Sequence, residues 1–291
     1  MALRKDQHEF DKAHKAPESA SPGATEPYSE AIRDEPQKTL AGPEFDFSAT
    51  GIAEKEDLLR IAAANLKASL EMLAAGCADT AGYERLQDGL RARMPDLYAR
   101  YDAYVEAVLA TGKEPVSCSK GCSHCCSHYV TSVEPYELMF LHGAIRADDR
   151  YPSRVIGLYR RAALFNSLLD RSDGEEAEDR ALYRYYLRGQ PCPFLEAGGK
   201  CGVYDSRPMS CRMFYSLSHP SLCKGKGVVD PGNRNFLIEL PEDIEADLAR
   251  AGAAFARFAL PESLFEGLLK ANELFGRFDS GDEGRTEAAG L

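Results

Sequence analysis

Four cysteines fall within nine residues, Cys118, Cys122, Cys125 and Cys126, in the string CSKGCSHCC. Four more, Cys192, Cys201, Cys211 and Cys223, follow in one later stretch. Thiolates this close repel one another and oxidise readily unless something positive holds them. A soft metal ion or an iron–sulfur cluster is the partner that thiolate sulfur prefers. These eight residues are therefore the candidate metal ligands. Disulfides are the competing use of nine cysteines. Against them, the opening MALRKDQHEFDKAHKAPES has no apolar stretch after its basic residues and reads as no signal peptide. A chain of 291 residues can bury a core without staples. The odd total also leaves one thiol unpaired. The expected compartment is the reducing cytoplasm.

The spacing C-x3-C-x2-C-C is compact enough to wrap one ion or one cluster. Gly121 beside Cys122 permits a positive φ, which lets backbone N–H groups turn toward sulfur. Ser117, Ser119 and Ser123 are small neighbours able to donate further hydrogen bonds. Cys125 and Cys126 cannot easily face the same centre, because adjacent side chains diverge by about 100° in a helix and lie opposite in a strand. One of them is expected to join Cys118 and Cys122, while the other reaches a second centre or is a buried thiol. In the later group, Cys192 stands between Pro191 and Pro193, and Cys-Pro occurs among bacterial iron–sulfur ligands. Arg207 and Arg212 bracket Cys211 in RPMSCR. Four thiolates around one Zn²⁺ carry a net charge of about −2, and these arginines are placed to balance it. His124, His128 and His219 lie near cysteines, but the thiolates suffice without them, so they read as supporting or exposed side chains. Cys77, alone after Gly76, reads as a small buried hydrophobe.

The elements that must position these residues are mostly helical. Residues 53–76 place Leu58, Leu59, Ile61, Ala62, Leu66, Leu70 and Leu73 at three- and four-residue spacing. A second helix, from Gly82 to Leu109, aligns Leu86, Leu90, Leu97, Tyr101, Tyr104, Val105 and Val108, with Pro95 expected to break or kink it near Met94. Val133 to Ile145 follows the first cysteines, with Pro135 in its first turn. Helices are expected over 152–170 and 176–188, separated by RSDGEE. The second ends in YRYYLRG, whose Tyr183 and Leu187 are expected on the core. The stretch PCPFLEAGGKCGVYDSRPMSC then suggests a β-hairpin pairing Phe194-Leu195 with Val203-Tyr204 around Gly-Gly. A helical turn over Pro208 to Phe214, a loop with His219 and Cys223, a strand over Asn235 to Leu240, and helices over 241–259 and 261–277 complete the body. The fold class is mainly α: a helical body around a small irregular cysteine-rich metal-binding centre with a short β-hairpin. Residues 1–48, polar and proline-bearing, read as a disordered arm, and 279–291 as a flexible tail. The metal-binding domain is 49–278, with its cysteine segment at 118–223.

The bulk composition narrows the partners. A hydrophobic content of 44% suits a globular protein, and no apolar run approaches the ~20 residues that span a bilayer. The net charge of −11 argues against nonspecific binding of nucleic acid, which rests on neutralising phosphates. The expected partners are thus a metal ion or cluster and a protein, with no nucleic acid and no membrane.

The string CSKGCSHCC, followed by CPFL and CGVYDSRPMSCRMF, resembles the bacterial cysteine-cluster proteins of CxxCxxCC type, named for zinc or iron chelation. The resemblance spans Cys118 to Phe214. It implies that Cys118, Cys122, Cys125, Cys126, Cys192, Cys201 and Cys211 form the metal-site set, with Cys223 fitting less firmly. It also implies a recurrent acidic position at Glu134. One relative by motif is the flagellin lysine N-methylase, which implies an iron–sulfur cluster and S-adenosylmethionine as candidate cofactors. No Gly-rich strand-to-helix turn of an ordinary methyltransferase accompanies it. C-x3-C-x2-C is also the spacing of radical S-adenosylmethionine enzymes, but those build on repeated strand–helix units and this chain is helical around its cysteines. The sequence therefore reads as a cysteine-ligated metalloprotein, iron narrowly ahead of zinc, with no decision on catalysis. An iron–sulfur methylase or redox enzyme and a metal-stapled interaction module are the alternatives.

Overall fold

The computed structural model describes residues 43–119, 121–169, 176–223 and 232–276. Most of the expected N-terminal arm, the whole of the expected tail and nearly all of the RSDGEE turn lie outside the described residues. Seven α-helices and one two-stranded sheet are formed among them, so the fold is mainly α with a small hairpin-like ladder.

Helices α1 (Ile52–Ala75) and α2 (Thr80–Ala110) are antiparallel partners. Leu59, Leu66 and Leu70, spaced by seven and four residues, fall on one face of α1, where they are fully buried. On α2 the expected stripe of Leu86, Leu90, Leu97, Tyr101, Tyr104, Val105 and Val108 is buried throughout. Ile61, expected inward on α1, is instead 56% exposed. The turn between the helices is tight. A Cβ on Gly82 would stand 2.2 Å from the carbonyl oxygen of Gly76, so only glycine fits there. Asp79 caps α2 by accepting the Gly82 N–H at 2.6 Å.

Pro95 does not break α2, which runs through it as one helix of 31 residues. The missing N–H and the ring clash at an interior proline cost about 3 kcal/mol. Complete burial of Met94, Leu97, Tyr98 and Tyr101 around it offsets that cost.

Helix α3 (Pro135–Arg146) is apolar on nearly every side and packs against α2, α6 (Glu242–Ala253), α4 (Tyr151–Leu168) and α7 (Leu264–Phe275). Pro135 occupies its first turn, where an N–H has no partner to lose. Helix α5 (Ala177–Leu187) packs on α4. The aromatic run it carries buries Tyr185 and Tyr186, whereas Tyr183 and Leu187 are only half-buried. The expected last helices are shorter than read: α6 stops at Ala253, and a 3₁₀ turn, Ala256–Phe258, ends at Ala259 with φ +45°.

The sheet pairs β1 (Phe214–Ser216) with β2 (Asn235–Leu237) antiparallel, Tyr215 opposite Phe236. The ladder was expected instead between Phe194-Leu195 and Val203-Tyr204. That stretch forms a single bridge, Leu195 to Cys201, closed by Gly198 and Gly199 at positive φ. The prolines flanking Cys192 lack N–H groups, and the Cys192 N–H itself goes to the Cys126 carbonyl at 2.9 Å, so no further rungs form. Phe45 packs its ring against Phe236 at 5.6 Å, extending the body to the first described residues.

Candidate metal centre

The thiol-bearing loops are fixed by backbone bonds rather than by apolar faces. Ser117 donates its N–H to Ser216 O at 2.8 Å and its hydroxyl to Ser216 and Ser218 carbonyls, which ties the start of the cluster to β1. Its hydroxyl is thus used on backbone, not sulfur. Gly121 adopts φ +96°, the conformation that a glycine beside Cys122 permits. Cys122 N–H then bonds Ser119 O, and a 3₁₀ turn spans His124–Ser127. With three residues per turn, neighbouring side chains diverge by about 120°. Cys125 and Cys126 nonetheless stay close enough for their thiols to hydrogen-bond. The loop's exit is anchored by Tyr129, stacked on Phe165 at 3.9 Å and hydrogen-bonded by the Ser263 hydroxyl.

Cys118, Cys122, Cys125 and Cys223 line one small cavity of about 20 Å³, with His124, His128, Tyr186, Phe214, Ser216 and Asn235. That volume takes a single water-sized or ion-sized sphere. The Tyr186 hydroxyl donates to the Cys223 carbonyl and its ring lies 4.3 Å from that of His128. Burial holds the His128 imidazole down at about 4, so it is neutral at ordinary pH. Burial pushes Cys118 up, with Cys122, Cys125 and Cys223 as its thiol neighbours. Cys223 is likewise raised by burial, and its sulfur lies 3.8 Å from Asn235 Oδ1.

Cys192, Cys201 and Cys211 lie outside that cavity and are neighbours of one another. Burial pushes the Cys192 thiol up to about 11 and that of Cys211 well above its ordinary range, with Cys201 and Cys125 among the neighbours of both. The Cys125 thiol is raised first by its hydrogen bond with Cys126 and then by burial. Cys118 and Cys223 on the one hand, and Cys192 and Cys211 on the other, all have Cys125 among their neighbours. Cys126 lies with Cys192 toward Arg161.

The two arginines singled out in the sequence take different positions. Arg207 faces Cys125, Cys201 and Cys211, and its guanidinium lies over the Tyr204 ring at 4.2 Å. Arg212, 4% exposed, pairs with Asp102 at 2.6 Å and bonds the carbonyls of Tyr204, Asp205 and Arg207. It orders the loop carrying Cys211 instead of facing sulfur. The same loop is held from α3 by Glu137, which accepts the Met209 N–H at 2.8 Å and the Tyr98 hydroxyl at 3.0 Å. Glu134 begins α3, and its side chain lies against Gly252 of α6. His219 is exposed and bonded to Ser221. Cys77 is buried among the helices, 4% exposed, and burial raises it to about 11.

Glu137, Tyr186, Arg154 and Arg161 were not legible as neighbours of the thiols. The arginines sit in an amphipathic helix where such residues ordinarily face solvent, and only the fold brings them inward.

The donor chemistry suits a soft ion: eight partly buried free thiols from loops far apart in sequence. Their side chains are not drawn together. Among the described residues no three His, Cys, Asp or Glu side chains form a group that could hold an ion as they stand. Protonated sulfurs have no reason to converge, and an ion that replaces the protons supplies one.

Residues 117–224 match the CxxCxxCC family model, whose description is "Putative zinc- or iron-chelating domain". The match takes in every candidate ligand together with α3, α4 and α5, and leaves α1, α2, α6 and α7 outside it. No curated protein and no solved structure matches the chain. No helix among the described residues is long and apolar enough to cross a membrane.

Proposed function

We propose that the protein binds zinc or iron through cysteine thiolates, using Cys118, Cys122, Cys125, Cys126, Cys192, Cys201, Cys211 and Cys223. Arg207 balances charge beside them and Arg212 holds the loop of Cys211. One observation supports this reading: Cys118, Cys122, Cys125 and Cys223, up to about a hundred residues apart in sequence, line one small cavity, while Cys77 stands apart in the helical core. A fold that needed cysteine only as a small hydrophobe would scatter it as it does Cys77. Thiol ligands bind metal as thiolates, so metal uptake by such a site releases protons. The role is metal storage, transfer or the ordering of this region, in the reducing cytoplasm.

The test is analysis of metal and acid-labile sulfide, with a visible spectrum, on protein purified without oxygen. Stoichiometric zinc in colourless protein, or iron with a broad band, supports the reading. Sulfide in proportion to iron identifies a cluster. Protein free of metal, which takes up neither Zn²⁺ nor Fe²⁺, contradicts it.

A further inference from the structure

Helix α4 turns one face toward the loop that carries Cys192 and Cys201, and four residues on that face meet it. Arg150, at the helix N-cap, bonds Glu196 Oε1 at 2.7 Å. Arg154, 4% exposed and paired with Asp148 at 2.7 Å, lays its guanidinium over the Phe194 ring at 5.6 Å. Gly157 approaches Pro193 so closely that a Cβ on it would stand 2.8 Å from the proline Cβ. Arg161, 4% exposed, donates to the Gln190 carbonyl. Intervals of four, three and four residues keep all of them on one side of an α-helix.

The loop meets this face as a folded unit. Leu195 N–H bonds Cys192 O at 2.9 Å, Glu196 N–H bonds Lys200 O at 2.8 Å and Gly202 N–H bonds Phe194 O at 2.7 Å, which ties the backbone around Cys192 to that around Cys201. The bond from Cys192 N–H to Cys126 O carries the connection on to the first cysteine turn. Glycine inside a helix is less favourable than alanine. At position 157 the space taken by Pro193 gives the reason for it.

We propose that Gly157 is a positioning residue: α4 sets the place of the Cys192–Cys201 loop through the fit of Gly157 against Pro193, and that fit governs the affinity of the cysteine site for its metal ion. Arg150, Arg154 and Arg161 hold the loop to either side of the contact. This rests on the metal-binding reading above. The four contacts use the Glu196 carboxylate, the Phe194 ring, the Pro193 ring and the Gln190 carbonyl, and no sulfur. Docking of the loop and binding of metal are therefore measured separately.

The test exchanges the sizes of the two residues in the full chain, loaded with Zn²⁺ alone in competition with a chelating indicator. Gly157→Ala puts a methyl group where Pro193 stands. It should weaken zinc binding about 10-fold, the low end of what losing a contact that orients metal ligands costs. In the metal-free chain the same variant should exchange backbone hydrogens faster over 192–202, while α4 keeps or gains protection because alanine is the better helix former. Pro193→Gly removes the two proline atoms nearest the added methyl and leaves Cα at 3.7 Å, an ordinary contact. Gly157→Ala/Pro193→Gly should therefore bind zinc more tightly than Gly157→Ala, even though Pro193→Gly alone loosens the loop. Far-ultraviolet circular dichroism confirms that each variant keeps its helices. Zinc affinity in Gly157→Ala equal to that of wild type, or a double variant whose loss is the product of the two single losses, overturns the proposal and leaves the metal-binding reading standing. Wild type that takes up neither Zn²⁺ nor Fe²⁺ overturns both.

Discussion

Helices α1 and α2 bury Leu59, Leu66, Leu70, Leu86, Leu90 and Met94 in the apolar core. The loops that carry the thiols, 117–128 and 192–223, bury few side chains of that size, only Phe194 and Met209 among the apolar ones. They are held by short 3₁₀ turns, three rungs of sheet and backbone bonds such as Cys192 N–H to Cys126 O. The first region contains its own stabilisation. The second buries Arg212 among few apolar side chains and carries eight partly buried free thiols.

The widest separation of the two regions is expected on removing metal. Chelation at neutral pH should collapse hydrogen-exchange protection over 117–128 and 192–223 while α1 and α2 keep theirs. The scale follows from the ~10–16 kcal/mol that structural zinc contributes in small domains. Uniform loss across α1 and α2 would show that the regions are not independent.

The reverse perturbation sharpens the comparison from the other side. Leu90→Ala, at a position with no exposure, should cost about 2–5 kcal/mol of stability in denaturant melts. Its metal content at low denaturant should match wild type. A variant that loses metal along with stability would tie the site to the packing of α2.

A smaller effect comes from the seam between the regions. Burial raises Glu137 from its ordinary 4.5 to about 7, against the opposing hydrogen bonds from Met209 and Tyr98. Glu134 is raised to about 7 by burial and by Glu137, Glu262 and Glu245, and the two titrate as a pair. The folded state holds protons here that the unfolded chain has already lost, so stability is greatest below about 4.5 and falls as pH rises to about 7. The contribution is on the order of 1–3 kcal/mol. Glu134→Gln/Glu137→Gln should abolish this part of the slope, read as the difference from wild type in melts across that range. An unchanged slope would contradict the buried pair as its source.

What the sequence revealed follows the same division. The period of 3.6 residues in α1, α2 and α3 was readable because each helix buries one face or, for α3, nearly all of it. Pro95 misled because local chemistry forbids what the burial of Met94, Leu97, Tyr98 and Tyr101 enforces. In the cysteine segment, residue types announced the chemistry and the 117–224 match bears out the family resemblance. Which thiols stand together did not show, because that depends on a 3₁₀ turn at His124–Ser127 and on a bridge of one rung at Leu195. Neither leaves a periodic trace. β1 was hidden for a related reason: its partner lies about twenty residues away, and three residues carry too little alternation to read. Arg161 is the extreme case, since one arginine beside another on a helix looks like surface until tertiary packing buries it.

The measurement that bears most directly on the centre compares two kinds of cysteine in one experiment. Metal content is determined for Cys77→Ser and for Cys118→Ser/Cys211→Ser, purified side by side without oxygen. Cys77→Ser should hold as much metal as wild type, and the double variant, with one thiol removed from each neighbourhood, should be nearly empty while α1 and α2 remain folded. Full metal in the double variant, or its loss in Cys77→Ser, would contradict a thiolate centre built from these loops.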